Sequence, residues 1–414
     1  MIKKLNPDNR LILKNFSFLT ILRFTNIAVK FLLVTYLVRV LGNTNYGILA
    51  WTDSIIQYFV IFINFGFNVY AAKYIVENKG SLQKLNEVIS AIYTIKLLFF
   101  LTSFLILQML VFNDTFAKYS SYLFLMLIYG IGEVFFPIWY FQGQEKLKLA
   151  TQVTVLARGL LLFLTLYFVD SENGIYKYIY ILVGSNILIG FLGYLILVRR
   201  FKFNYIWVGW NNIVNYVKDA YMFFLSLLMS LTFNLLTIFL IGLEYSMEFV
   251  GGFDIALKVV LVFLIPFDML QQAVYPTITR SKNKVDLKKF IFVSFVFGCF
   301  FSAIIYFYSE EILLIFGGEE MKEYSYILKI LFPIPALTSC TIMLGTCTLV
   351  AFGYEREFNQ SLIYTFIIYI VLVGVFYIIG SLSFIVLIWL RVLPDALALL
   401  FRIYFVKKRN IFNT

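Results

Sequence analysis

The chain is divided into twelve apolar blocks of about 20 residues or more, joined by short polar stretches. They run over roughly 16–40, 46–69, 88–112, 121–141, 150–169, 177–198, 219–242, 249–275, 288–308, 325–350, 358–379 and 382–405. A helix of ~20 residues, rising ~1.5 Å per residue, crosses the ~30 Å of hydrocarbon in a bilayer. Lipid offers no partner to a bare peptide group, so a lone spanning segment must bond its own backbone, as a helix does. The pattern predicts an all-α integral membrane protein with twelve transmembrane helices. Only Gly380 and Ser381 separate the last two blocks. Of 414 residues, 14% are charged, against roughly a quarter in a soluble domain. No joint is long enough to house a soluble catalytic domain.

The formal net charge is +11, and its placement matters more than its size. Lys3, Lys4, Arg10 and Lys14 precede the first block; Lys73, Lys79 and Lys84 follow the second; Lys146 and Lys148 follow the fourth. Arg199, Arg200, Lys202 and Lys218 follow the sixth, and Arg280, Lys282, Lys284, Lys288 and Lys289 the eighth. Arg356 and the tail Lys407, Lys408 and Arg409 complete this side, whereas the other carries only Lys118, Lys177 and Lys322. Basic joints stay in the cytoplasm, so both termini are expected there. The positive charge then reads as topology, and no nucleic-acid partner is expected. The basic N-terminus lacks a short apolar core with a cleavage site and is read as retained.

The chain has no histidine, and Cys299, Cys340 and Cys347 all lie in apolar blocks. Neither a disulfide framework nor a metal site is expected, and no cofactor. No GxxxxGK[ST] phosphate loop occurs, so transport driven by a proton or sodium gradient is expected in place of ATP.

The chain also repeats itself. NYGILAW (45–51) and FVGGFDIA (249–256) open the second and eighth blocks. Val69-Tyr70 and Val274-Tyr275 close them. Gly143-x-Glu145-Lys146 and Gly353-x-Glu355-Arg356 follow the fourth and tenth. This order predicts two six-helix lobes, 1–203 and 219–414, joined by a cytoplasmic linker over 204–218, with a transport site between them. In PIWYFQGQEK (137–146) Pro137 should bend the helix and Gly143 end it. Trp139 and Tyr140 should sit near the interface, and Glu145 should meet basic cytoplasmic ends.

LGNTNYGILAWTDSI (41–55), FINFGFNVYAAKYI (62–75), PIWYFQGQEKLK (137–148), VGGFDIALKV with QQAVYPTITR (250–280) and LLIFGGEEMKEYSYILKIL (313–331) together resemble the Wzx-type polysaccharide flippases. These O-antigen and capsule translocases share a superfamily with the MATE multidrug exporters and the lipid II flippase. The resemblance spans about residues 10–410. It implies a MATE-like, two-lobed fold in the bacterial cytoplasmic membrane. It also implies a cargo, undecaprenyl-diphosphate-linked oligosaccharide, carried from the cytoplasmic to the outer leaflet. Membrane lipid, a coupling proton or sodium ion and other polysaccharide-assembly proteins are the implied partners.

Ionisable side chains at membrane depth are costly and face protein or a wet cavity. Thr20, Arg23, Asn26 and Lys30 share a face of the first block, and Asp53, Gln57, Asn64 and Asn68 one of the second. The seventh carries a neutral stripe of Ser226, Ser230, Asn234 and Thr237. Arg23, Asn26, Lys30, Arg158 and Lys258 are the candidate contacts for a diphosphate, which suits a guanidinium fork or an ammonium. Asp53 could pair with Lys30 when cargo is absent. Asp254 and Lys258, and Arg391 and Asp395, are four apart, a spacing that favours mutual ion pairs. Asp53, Glu133 and Asp268 are the candidate ion-coupling acids. A drug exporter of the same fold is the alternative, though the cations of the first and fifth blocks suit an anionic cargo better. A membrane enzyme would need larger outer loops, and an uncoupled scramblase would not need the acids.

Overall fold

The computed structural model describes residues 7–412, with side chains from Phe18 onward except 19, 20, 23 and 24. Among the described residues the secondary structure is all helical. The chain divides into two compact units, Met1–Leu228 and Met229–Thr414.

Unit 1 contains α1 (Pro7–Asn64), α2 (Phe67–Glu77), α3 (Leu82–Leu110), α4 (Asp114–Ala117), α5 (Ser120–Leu127), α6 (Tyr129–Phe135), α7 (Ile138–Gly143), α8 (Leu147–Phe168) and α9 (Ile175–Phe201). The cut falls inside α10 (Trp210–Glu244). Unit 2 continues with α11 (Met247–Ser281), α12 (Lys284–Phe307), α13 (Ser309–Gly317), α14 (Ser325–Leu331), α15 (Pro333–Ile342), α16 (Glu355–Ile378) and α17 (Phe384–Lys408). A π-helix, Met343–Val350, lies between α15 and α16.

Eleven segments among the described residues are long and apolar enough to cross a bilayer, against the twelve expected. The first, Thr25–Glu77, has 53 residues and takes in both the first and second expected blocks. A straight helix of that length would run ~80 Å. The segment is interrupted at Gly42, whose φ of 76° and ψ of 163° are not helical. Phe65 and Gly66, at φ 42° and 74°, interrupt it again between α1 and α2.

Helices in lipid gain little from hiding apolar surface and rely on close backbone approach. In unit 1, α6 lies so near α9 that a Cβ on Gly132 would stand 2.3 Å from the Asn186 carbonyl oxygen. In unit 2, Ser294, Gly298 and Ser302 repeat every fourth residue along the face of α12 that meets α15. Ser294 donates to the Ser339 carbonyl at 3.3 Å, and a Cβ on Gly298 would stand 2.4 Å from Ser339 Oγ. Ser302 Oγ accepts the Ala336 amide near the start of α15 at 3.2 Å.

The repeated helix end departs from its sequence reading. Pro137 separates α6 from α7, as a proline that removes a backbone donor should. Gly143 is not the left-handed terminal residue. Glu145 holds that position at φ 56°, and the Lys146 amide bonds back to the Phe141 carbonyl at 2.8 Å. In unit 2 Gly353 is the left-handed residue at φ 86°, and the Tyr354 amide bonds back to Leu349 at 2.8 Å. The equivalent residues are thus Glu145 and Gly353, not the two glycines. Gly143 serves packing: a Cβ there would meet the Ile75 side chain at 2.6 Å. Trp139 and Tyr140 are buried, within an aromatic cluster that includes Tyr93 and Phe201.

The expected meeting of Glu145 with a basic end is present: Lys79 Nζ stands 2.6 Å from its Oε1. In unit 2 Lys282, at the end of α11, bonds the Ala351 carbonyl. There the acid that meets a basic end is Glu357, paired with Arg409, and Glu355 is exposed. A further bond recurs in both units. The Tyr36 hydroxyl donates to the Val169 carbonyl at 2.7 Å, and that of Tyr245 to the Leu382 carbonyl at 3.1 Å.

Candidate functional site

The contact of Gly132 with α9 brings Glu133 to Asn186, which donates from Nδ2 to Glu133 Oε1 at 3.4 Å and to the Tyr129 carbonyl at 2.9 Å. Asn64, at the end of α1, donates from Nδ2 to Glu133 Oε2 at 3.0 Å. Lys96 of α3, fully buried, donates to Asn64 Oδ1 at 2.8 Å and to the Glu133 main-chain carbonyl at 3.1 Å. A carboxyl group and a lysine thus share one asparagine. Paired this way, buried charges need not stand uncompensated.

Tyr129 links this group to a second. Arg158 on α8 lies within electrostatic reach of the Tyr129 hydroxyl and donates from Nε to Asn26 Oδ1 at 3.3 Å. Asp53 lies within electrostatic reach of Tyr129 and Tyr178, as Arg158 does. A polar chain therefore runs through unit 1 as Asn26, Arg158, Tyr129, Asn186, Glu133, Asn64 and Lys96. It crosses α1, α8, α6, α9 and α3. Arg158, Tyr129 and Glu133 are half-buried, so the chain is not sealed along its length.

Of the sequence candidates, Asn26, Arg158, Asp53 and Glu133 come together. Lys30 is exposed and makes no hydrogen bond or ion pair among the described residues. It is not paired with Asp53, which instead accepts from Gln57 Nε2 at 2.9 Å, because residues four apart meet on one helix face. The Arg23 side chain lies outside the described residues.

In unit 2 Lys258 and Asp254 form the expected pair at 2.5 Å. Asp268 is exposed, and its carbonyl accepts from Gln272 at 3.1 Å. Arg391 forms an ion pair with Asp395 at 2.7 Å and donates to Asn234 Oδ1. Thr338 donates to Asp395 Oδ1 at 2.9 Å. Arg402 is buried against the π-helix, bonded to the Thr341 carbonyl and to Ser361 Oγ, with Phe358 at 4.7 Å.

Sequence reading missed Lys96, Asn186, Tyr129, Tyr178 and Arg402. Lys96 and Arg402 carried a usable signal, a basic residue inside an apolar block. The tyrosines and Asn186 carried none, since they resemble their neighbours in any apolar helix.

The two units share some of their positions. Asn26 and Asn234, each accepting from an arginine, are 208 residues apart, as are Glu145 and Gly353. In unit 1 the acid Glu133 of α6 faces an amide on α9, whereas in unit 2 Thr338 of α15 faces the acid Asp395 on α17.

Known folds place this architecture. It matches an inward-facing multidrug resistance MATE family transporter of the MOP superfamily with a TM-score of 0.72, covering 94% of both chains at 14% identity. The lipid II flippase MurJ, inward closed, gives a TM-score of 0.68 over 95% of this chain and 87% of that one at 12% identity. The fold is therefore that of the MATE and MurJ membrane proteins. A family model described as polysaccharide biosynthesis protein matches residues 12–282, and the chain belongs to that family. A protein of Escherichia coli strain K12 named "Putative O-antigen transporter" is 24% identical over 366 residues, 87% of this chain and 88% of its own length. One of the same name from Shigella dysenteriae is 24% identical over 357 residues, 84% and 88% of the two.

Proposed function

We propose that the protein is a flippase that moves undecaprenyl-diphosphate-linked oligosaccharide units from the cytoplasmic to the outer leaflet of the bacterial inner membrane. The match to proteins named as O-antigen transporters along 87% of the chain carries this reading. The Arg158–Asn26 pair and the exposed Lys30 support it, being the donors an anionic diphosphate requires. Arg23 and Lys258 complete the proposed set of head-group contacts. Alternating access would expose these groups to each leaflet in turn. Coupling by antiport of a proton or sodium ion would use Asp53, Glu133 or Asp268. The chemistry is transport, not catalysis. O-antigen or capsule units would be the cargo, and other assembly proteins would supply and consume it.

The proposed architecture has twelve crossings, with Gly42 dividing the first from the second. It has lobes over 1–203 and 219–414, a linker over 204–218 and both termini in the cytoplasm. Cysteines placed near Asn113, Ser171 and Glu319, in a chain lacking the native three, should label from outside intact cells. Those near Lys79, Lys282 and Glu357 should label only once the membrane is opened. A mixed pattern would overturn the orientation.

The functional test is export of the lipid-linked glycan to the cell surface. Lys30→Gln should lower it about three- to tenfold, the weight of a partly solvated charge-assisted bond. Membrane abundance should not change, and Lys30→Arg should retain part of the export. Normal export by Lys30→Gln would remove this residue from the route.

A further inference from the structure

The link from Lys96 through Asn64 to Glu133 has a fixed sense. An ammonium only donates and an ionised carboxylate only accepts. Asn64 must therefore turn its carbonyl to Lys96 and its amide to Glu133, and it does so at 2.8 Å and 3.0 Å. The second bond of the ammonium goes to the main-chain carbonyl of Glu133 itself, at 3.1 Å. Lys96 Nζ thus stands in a socket of one amide oxygen and one peptide oxygen, a single side chain away from a carboxylate. Lys96 and Asn64 are both more than nine-tenths buried.

Oxygen dipoles that replace a hydration shell, beside a negative charge, are what a protein within a membrane offers an alkali cation. Here a tethered cation already holds the place. We propose that Lys96 is a built-in cation: its ammonium occupies the position of a sodium or potassium ion beside Glu133 and excludes alkali ions from unit 1. The inference rests on Glu133 being a coupling acid of a transport unit, as proposed above. It deepens that reading, because any coupling at Glu133 must then use a proton. The length of the lysine side chain on α3 sets the specificity, and the oxygens serve either cation.

The test uses purified full-length protein in lipid nanodiscs, melted in matched concentrations of sodium, potassium or N-methylglucamine chloride. The wild type should melt at one temperature in all three. Lys96→Ala, or the bulkier Lys96→Gln, empties the socket and leaves Glu133 without its cation. Either variant should melt roughly 2 °C or more higher in sodium or potassium than in N-methylglucamine. Adding Glu133→Gln to either variant should abolish that difference. If both single variants fail to accumulate, the double variant should restore accumulation, because the uncompensated acid is then gone. A sodium effect on the wild type that Glu133→Gln removes would overturn the proposal. So would Lys96 variants that respond to no alkali ion, or double variants that fail as the single ones do. No glycan is involved in this measurement, so it stands or falls separately from the identity of the cargo.

Discussion

Arg391→Ala is expected to destabilise the protein by ~3–5 kcal/mol, the cost of stripping one partner from a buried ion pair. The Arg391 and Asp395 side chains are 7% and 18% exposed, and their contact is 2.7 Å. Once the guanidinium is gone, Asp395 keeps the Thr338 hydroxyl but loses its ion-pair partner, and Asn234 loses its donor. Replacing both charges, as in Arg391→Met with Asp395→Leu, should recover most of the loss, because neither member of the pair is then left without the other. Thermal melting in detergent reads both effects. Removal of Lys177, whose pair with Asp170 is exposed on both sides, should leave the melting temperature close to that of the wild type and serves as the reference. A loss no greater than this reference would mean that Arg391 does not hold α10 to α17.

The largest expected effect on export comes from Arg158. Its guanidinium donates to Asn26, so it is positioned before any cargo arrives. It is also half-buried, which strengthens a bond to phosphate relative to one made in water. Arg158→Gln should therefore cut surface glycan by about 10- to 100-fold, the worth of a charged hydrogen bond of ~1.5–3 kcal/mol. Arg158→Lys keeps the charge but loses the planar fork, and should fall between. Asn26→Ala frees the guanidinium without removing it and should cost least. Quantifying the protein in membranes separates lost transport from lost protein. Full export by Arg158→Gln would remove the cationic route.

The helix count was nearly legible in the blocks themselves, because bilayer thickness imposes a length on every spanning helix. It differed only where α1 carries two blocks across Gly42. The Asp254–Lys258 and Arg391–Asp395 pairs were legible for a similar reason, since residues four apart on one helix must meet. Glu145 and Lys79 were foreseeable from charge at two neighbouring ends. The link from Lys96 to Glu133 was not, because it depends on which helices touch. That depends in turn on Gly132 lying against Asn186, a contact with no local trace in sequence. The left-handed Glu145 was hidden by Gly143, a better candidate by propensity that is engaged with Ile75 instead.

The π-helix at 343–350 bears on how a duplicated plan tolerates changes in length. The repeated pairs Val69-Tyr70 and Val274-Tyr275 are 205 residues apart, whereas the helix ends Glu145 and Gly353 are 208 apart. The second copy has thus gained three residues over that stretch. In an ordinary α-helix each insertion would swing every later side chain by ~100° and scramble the face that meets α17. A wider turn takes up part of the surplus in place, at the cost of carbonyls that miss their usual donors. One neighbouring carbonyl, that of Thr341, is the oxygen that Arg402 binds. A buried arginine that looks like a site residue is, on this account, the rivet over a splice.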